Sequence, residues 1–195
     1  MFRYFITYKP FEVLSQFTSE GDKKTLKDYF AVAKDMYPVG RLDHDSEGLL
    51  LLTNDKNINH RLLHPSFLHE REYWVQVDGK PTEQALQEIQ NGVDIKVDGK
   101  IYHTNKCIAS LFESEPTVAV RNPPIRFRKE IPAPWMKLII TEGKNRQVRK
   151  MTAAIGFPTL RLIRYRIEEI ELGNLMPGEM IELSRNIIYK KLFHE

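Results

Sequence analysis

Hydrophobic and polar positions change period several times along the chain, and those changes predict its elements. Residues 2–8 alternate as an edge-like strand that stops at Lys9-Pro10, because proline ends regular structure. Residues 24–30 have the spacing of a short helix, and residues 36–42 that of a strand or an extended entry to a loop. Residues 48–53 form a continuous apolar run, the pattern of a buried strand. Asn54 is placed to cap a helix that puts Ile58, Leu62 and Leu63 on one face and stops at Pro65. Residues 72–78 alternate again, and Thr82 caps a helix carrying Ala85, Leu86 and Ile89 that Gly92 closes.

Asp98-Gly99, between residues 93–97 and 100–108, is the signal of a type I′ hairpin. Residues 121–134 mix four prolines with basic residues and read as an extended loop. A strand at 135–141 precedes a helix capped by Asn145 and running to Ile155, where Gly156 and Pro158 end it. Strands follow at about 160–167 and 179–183. Many strands with a few short helices, out of strict βα alternation, predict an α+β fold with a mostly antiparallel or mixed sheet. No repeat or composition shift marks a linker, so residues 1–195 read as one domain, with room for two lobes.

Composition narrows the class. A 195-residue chain with 42% hydrophobic and 28% charged residues is globular and long enough to bury a core without staples. The single Cys107 excludes an internal disulfide and points to a reducing compartment. No apolar stretch approaches a membrane span, and the interrupted N-terminus does not resemble a signal peptide, so a soluble cytoplasmic protein is expected. The net charge of +3 conceals an asymmetry. Residues 121–166 hold twelve basic against two acidic residues, a net of +10, which leaves 17 basic against 24 acidic, a net of −7. With Phe127, Trp135, Phe157 and Tyr165 interleaved, that block is the footprint of an RNA partner.

Two stretches carry candidate chemistry. In residues 40–55, Asp43, Asp45 and Glu47 lie just before the buried strand, which offers a rigid base for a positioned carboxylate. A calcium loop is excluded, because its twelfth position is Asn54 and the positions before it are apolar. A magnesium-binding Asp-x-Asp and a catalytic carboxylate loop, shaped by Arg41 and the glycines, both remain. The second stretch is Glu142-Gly-Lys-Asn-Arg-Gln-Val-Arg-Lys-Met151. Arg146 and Arg149 share a face of its expected helix, where basic residues oppose the dipole but suit an anionic ligand. His60, His64 and His69 do not form a metal site, since Pro65 interrupts them, and no phosphate-loop, dinucleotide or hydrolase-elbow motif occurs.

Gly40-Arg-Leu-Asp-x-x-Ser-x-Gly-Leu-Leu-Leu-Leu-Thr-Asn54 resembles the catalytic motif of the RsuA-type pseudouridine synthases, with Ser46 where most members have threonine. Lys9-Pro10, Arg71-x-Tyr73-x-Val75 and the 142–151 segment, followed by Leu160-Arg-Leu-Ile-Arg164, resemble further motifs of that family in the same order. Arg121-Asn-Pro-Pro-Ile-Arg126 and residues 156–165 are similar to its branch acting on large-subunit ribosomal RNA. The resemblance implies a pseudouridine synthase fold, bilobed with a basic cleft, and no S4 RNA-binding domain before Lys9. It implies Asp43 as the essential catalytic residue, Arg149 as its cationic partner and Tyr73 as the residue stacking on the flipped uracil. Arg41, Arg126, Arg128, Arg146, Lys150, Arg161 and Arg164 are the expected RNA contacts. It further implies 23S rRNA or a large-subunit precursor as substrate, no cofactor or metal, and a monomer.

Overall fold

A computed structural model describes residues 1–125 and 130–195. They divide into two compact units, one formed by Met1–His69 with Ile163–Glu195 and the other by Glu70–Leu162. The strands along the chain begin with β1 (Tyr4–Lys9), β2 (Val13–Leu14), β3 (Lys24–Thr25), β4 (Tyr37–Pro38), β5 (Glu47–Thr53), β6 (Arg71–Val77) and β7 (Asp94–Val97). They continue with β8 (Lys100–His103), β9 (Ile108–Leu111), β10 (Trp135–Ile140), β11 (Thr159–Ile167), β12 (Ile170–Glu171) and β13 (Met180–Leu183). The helices are α1 (Lys56–Leu63), α2 (Glu83–Asn91), α3 (Gln147–Ala154) and α4 (Arg185–Phe193).

In the first unit β1 is not an edge. It pairs antiparallel with β13 on one side (Ile6↔Ile181) and with β5 on the other (Ile6↔Leu51), and all six of its residues are buried. The alternation that reads as an edge strand reflects polar residues that find partners inside. β5 is buried throughout, as its apolar run requires; burial of Leu49, Leu50 and Leu52 stabilises the unit by about 1.5–3 kcal/mol each. The other edge of β5 takes β11 in parallel at its start (Arg164↔Gly48) and β4 antiparallel at its end (Pro38↔Leu52). Phe5, Leu50 and Leu52 pack with Val13, Leu26, Phe30 and Met36 into one cluster. The helix expected at 24–30 is a single 3₁₀ turn at Leu26–Asp28, where the Asp28 carboxylate accepts from the Thr25 backbone N–H at 2.7 Å.

One helix end and one whole helix in this unit differ from the sequence expectation. The cap of α1 is Asp55 rather than Asn54: Asp55 Oδ1 accepts from the Asn57 N–H at 3.0 Å. Its Oδ2 accepts from the hydroxyls of Tyr4 (2.9 Å) and Tyr189 (2.8 Å), so one buried carboxylate ties β1 and α4 to the end of β5. Asn54 is engaged elsewhere, with Arg3 N–H and the Asp35 carboxylate. The expected elements also lack α4, whose Ser184 cap and buried Ile188, Tyr189 and Leu192 were its available signal.

In the second unit β10 lies between β6 and β9, antiparallel to both (Leu138↔Tyr73, Leu138↔Ala109). β7 and β8 form the expected hairpin, with Asp98 and Gly99 at φ 48° and 81°, the positive angles of a type I′ turn. The single strand expected at 100–108 is two. Thr104 closes the hairpin against Val93 through N–H and Oγ1, which frees Ile108–Leu111 to join β10. α2 is capped by Thr82 and closed by Gly92, as its sequence signals indicate.

Candidate active site

The carboxylate loop is held by its backbone. The Leu42 N–H donates to Ser15 Oγ (3.0 Å), and the same hydroxyl donates to the Leu42 carbonyl (2.8 Å). The Asp43 carbonyl accepts from the Ser46 N–H (3.0 Å), which makes a tight turn of residues 43–46. β5 starts at once with Glu47, itself buried. Asp43, His44 and Asp45 are half-buried on this turn, and Arg41 beside them is exposed.

Lys9 lies fully buried under the loop. Its ammonium donates to the carbonyls of Pro10 (2.8 Å), Val13 (2.7 Å) and His44 (3.5 Å), so all three of its donors are used. Burial pushes this lysine down to about 7, against the opposing pull of Glu47, Asp45 and Asp43 and with a further push from Arg164. That depression has a sign. Between pH 7 and 10.5 the unfolded chain keeps a proton that the folded chain has released, so this group makes the fold more stable as pH rises. Urea unfolding of the wild type and of Lys9→Met between pH 6 and 10 is expected to differ by a slope of up to about 1.4 kcal/mol per pH unit over that window. Parallel curves would refute it.

Arg164 sits at the same level, 4% exposed on β11, with Nε donating to the Leu49 carbonyl (2.8 Å). Its backbone pairs with Gly48, which has φ +106°. A Cβ on Gly48 would meet the Arg164 carbonyl oxygen at 2.4 Å. Glycine is required there, one residue into the strand that carries the loop.

The second unit holds the other candidates. Tyr73 is buried on β6, on one face with Val75 and Val77. Its neighbour Trp74 donates from Nε1 to Glu72 Oε1 at 2.9 Å and meets Phe112 edge-on at 5.2 Å. α3 begins at Gln147, not at a first turn capped by Asn145: Arg146 is its N-cap, in the left-handed conformation with φ 52°. Arg146 is exposed, while Arg149 and Lys150 are half-buried. Arg161 is 6% exposed, donates to the Ala119 carbonyl (2.8 Å) and lies 5.8 Å from the Trp135 ring centroid.

Among the predicted residues, Arg41, Asp43 and Arg164 thus belong to the first unit. Tyr73, Arg146, Arg149, Lys150 and Arg161 belong to the second. Arg126 and Arg128 lie outside the described residues. Lys9 and Gln147 carry a signal in the sequence only as members of the Lys9-Pro10 and 142–151 motifs, without a task of their own, and Ser15 carries none. His69 pairs with Glu168 at 2.9 Å, and among the described residues no cluster of three or more His, Cys, Asp or Glu could hold a metal. Cys107 donates to the Ile89 carbonyl, and burial pushes its thiol up to about 11, so it packs rather than reacts. No helix among the described residues is long and apolar enough to cross a membrane.

The chain belongs to the RNA pseudouridylate synthase family, whose model matches residues 3–154, and it is an RNA pseudouridine synthase, an isomerase. It is 50% identical over 175 residues to ribosomal large subunit pseudouridine synthase E of Vibrio parahaemolyticus, covering 90% of this chain and 71% of that one. The protein of the same name from Xanthomonas axonopodis pv. citri is 47% identical over 171 residues, 87% of each chain. A crystal structure of a pseudouridylate synthase superposes with a TM-score of 0.79 at 26% identity, over 98% of this chain and 74% of the other. The fold is therefore the α+β pseudouridine synthase fold, with a mixed sheet.

Proposed function

We propose that this enzyme converts a specific uridine of large-subunit (23S) ribosomal RNA to pseudouridine, with Asp43 as the catalytic carboxylate. The target class is supported by the near-50% identity to proteins named for the large subunit. The observation that carries the catalytic assignment is the loop itself: Leu42, Asp43 and His44 are each tied through backbone atoms, which sets the Asp43 carboxylate on a rigid turn directly ahead of β5.

The reaction breaks the uridine N1–C1′ bond, turns the base and joins C5 to C1′; C5 loses a proton and N1 ends with one. Nothing is oxidised or reduced, so the balance calls for no redox cofactor or nucleotide. Asp43 either attacks C1′ or removes a ribose proton to give a glycal, and a carboxylate suits both routes. Tyr73 stacks on the uracil and takes part in removing the C5 proton, and Arg149 supplies the cationic charge. Extruding the base costs a few kcal/mol, recovered by stacking and phosphate contacts. The exposed Arg41 and Arg146, with Lys150, are the contacts the burial pattern favours. The enzyme acts as a monomer in the cytoplasm.

Chemical mapping of pseudouridine in 23S rRNA from cells with and without the gene tests the reading. One site is expected to vanish and to return when the purified protein is added to the unmodified RNA. An unchanged map would overturn the assignment of substrate.

A further inference from the structure

The turn that leads into α3 contains a polar network, centred on the buried Gln147, that the proposed chemistry does not use. Gln147 is 3% exposed, and both ends of its amide are engaged. Oε1 accepts from the Lys144 backbone N–H at 2.9 Å. Nε2 donates to Glu142 Oε1 at 2.6 Å and lies 3.7 Å from Met151 Sδ. Glu142 also accepts from the Asn105 N–H at 2.9 Å and from the Tyr102 hydroxyl, so the turn is bound to β8 and the residues after it. That hydrogen bond, aided by burial, pushes the Tyr102 phenol up to about 12, and Lys144 Nζ lies 4.7 Å from the Tyr102 ring centroid.

Within this turn stands Arg146, left-handed at φ 52° and ψ 34°, an N-cap with no side-chain capping bond of its own. A non-glycine residue stays there only where its surroundings over-determine it, and such residues gather at functional sites. Its carbonyl starts the helix by accepting from the Lys150 N–H at 3.0 Å. Arg149 follows on the same first turn.

We propose that Glu142 and Gln147 are positioning residues, a clasp that holds Arg146 in the left-handed conformation and so aims the first turn of α3, with Arg149, for the isomerisation. The proposal rests on the reading that Arg149 serves the reaction. Gln147 suits the task because one side chain must accept on one side and donate on the other. Without it, Arg146 is free to relax to ordinary backbone angles, and the start of α3 shifts with it. A displacement of about 1 Å at a positioned group costs on the order of 10²-fold in rate.

The test compares Gln147→Ala, Gln147→Glu and Arg149→Ala on a 23S rRNA transcript carrying 5-tritiated uridine, with tritium release for kcat and filter binding for Kd. Gln147→Ala is expected to lose at least about tenfold in kcat while Kd stays within about threefold. Gln147→Glu sets two carboxylates against each other, so one is driven to hold a proton. Its activity relative to the wild type should therefore recover as pH falls from 8 to 6, and this readout stands even if the alanine variant does not fold. Wild-type kcat in Gln147→Ala, or a flat pH ratio for Gln147→Glu, would overturn the clasp; so would kcat and Kd worsening together. A fully active Arg149→Ala would instead overturn the role of Arg149 on which the clasp depends.

Discussion

Asp43→Asn is expected to lower isomerisation by about 10³-fold or more while RNA affinity stays within about threefold. The amide has the shape of the carboxylate but neither its charge nor its capacity to attack C1′ or take a proton. The loop should keep its form, because the Leu42 N–H and carbonyl, the Asp43 carbonyl and the His44 carbonyl tie it through backbone atoms that the substitution leaves in place. Affinity for a polyanion gains slightly, if it changes, from the loss of one negative charge. Tritium release from 5-tritiated uridine in rRNA measures the first quantity and filter binding the second. Turnover in Asp43→Asn comparable to the wild type would remove Asp43 from the mechanism. Asp45→Asn on the same turn is the control, expected to keep most of the activity.

The second large effect lies five residues along the chain. Gly48→Ala is expected to destabilise the fold by about 3 kcal/mol or more, which for a chain of this size lowers Tm by roughly 6–12 °C. Two causes act together. At φ +106° an L side chain is strained in any setting, and here its Cβ would also lie 2.4 Å from the Arg164 carbonyl oxygen and 2.8 Å from the Arg164 nitrogen. Those are backbone atoms of a paired strand, so the clash is relieved only by parting β5 from β11. Activity should fall further than stability explains, because the parting occurs beside the turn that carries Asp43. Thermal unfolding followed by circular dichroism checks the first claim; a Tm within about 1 °C of the wild type would contradict it.

The sequence was most legible where a signal is local and repeated. The apolar run of β5, the Asp98-Gly99 turn and the Thr82 and Gly92 ends of α2 were all readable, because each depends on a few adjacent side chains. So was the carboxylate loop, through the spacing of Asp43, Asp45 and Glu47 ahead of an apolar strand. Element ends were less legible: Asn54 and Asp55 are both good caps, and Asn145 looks better than Arg146. The choice fell to distant partners, Tyr4 and Tyr189 for Asp55, and Tyr102 and Asn105 acting through Glu142 for the start of α3.

Charge shows the same division. By itself the sequence determined that twelve basic residues crowd into residues 121–166 and that a carboxylate turn precedes a buried strand, a pattern suited to an RNA partner, while the enzyme reading came from the resemblance of its motifs. Only the tertiary structure decided how individual cations are used. It exposes Arg146, buries Arg161 and Arg164 against backbone carbonyls, and places Lys9 beneath the loop of Asp43. A count of charges is a sum over residues and is blind to position. Burial of a cation depends on which carbonyls and carboxylates the fold brings to it, and for Arg164 the accepting carbonyl belongs to Leu49, 115 residues away in the chain.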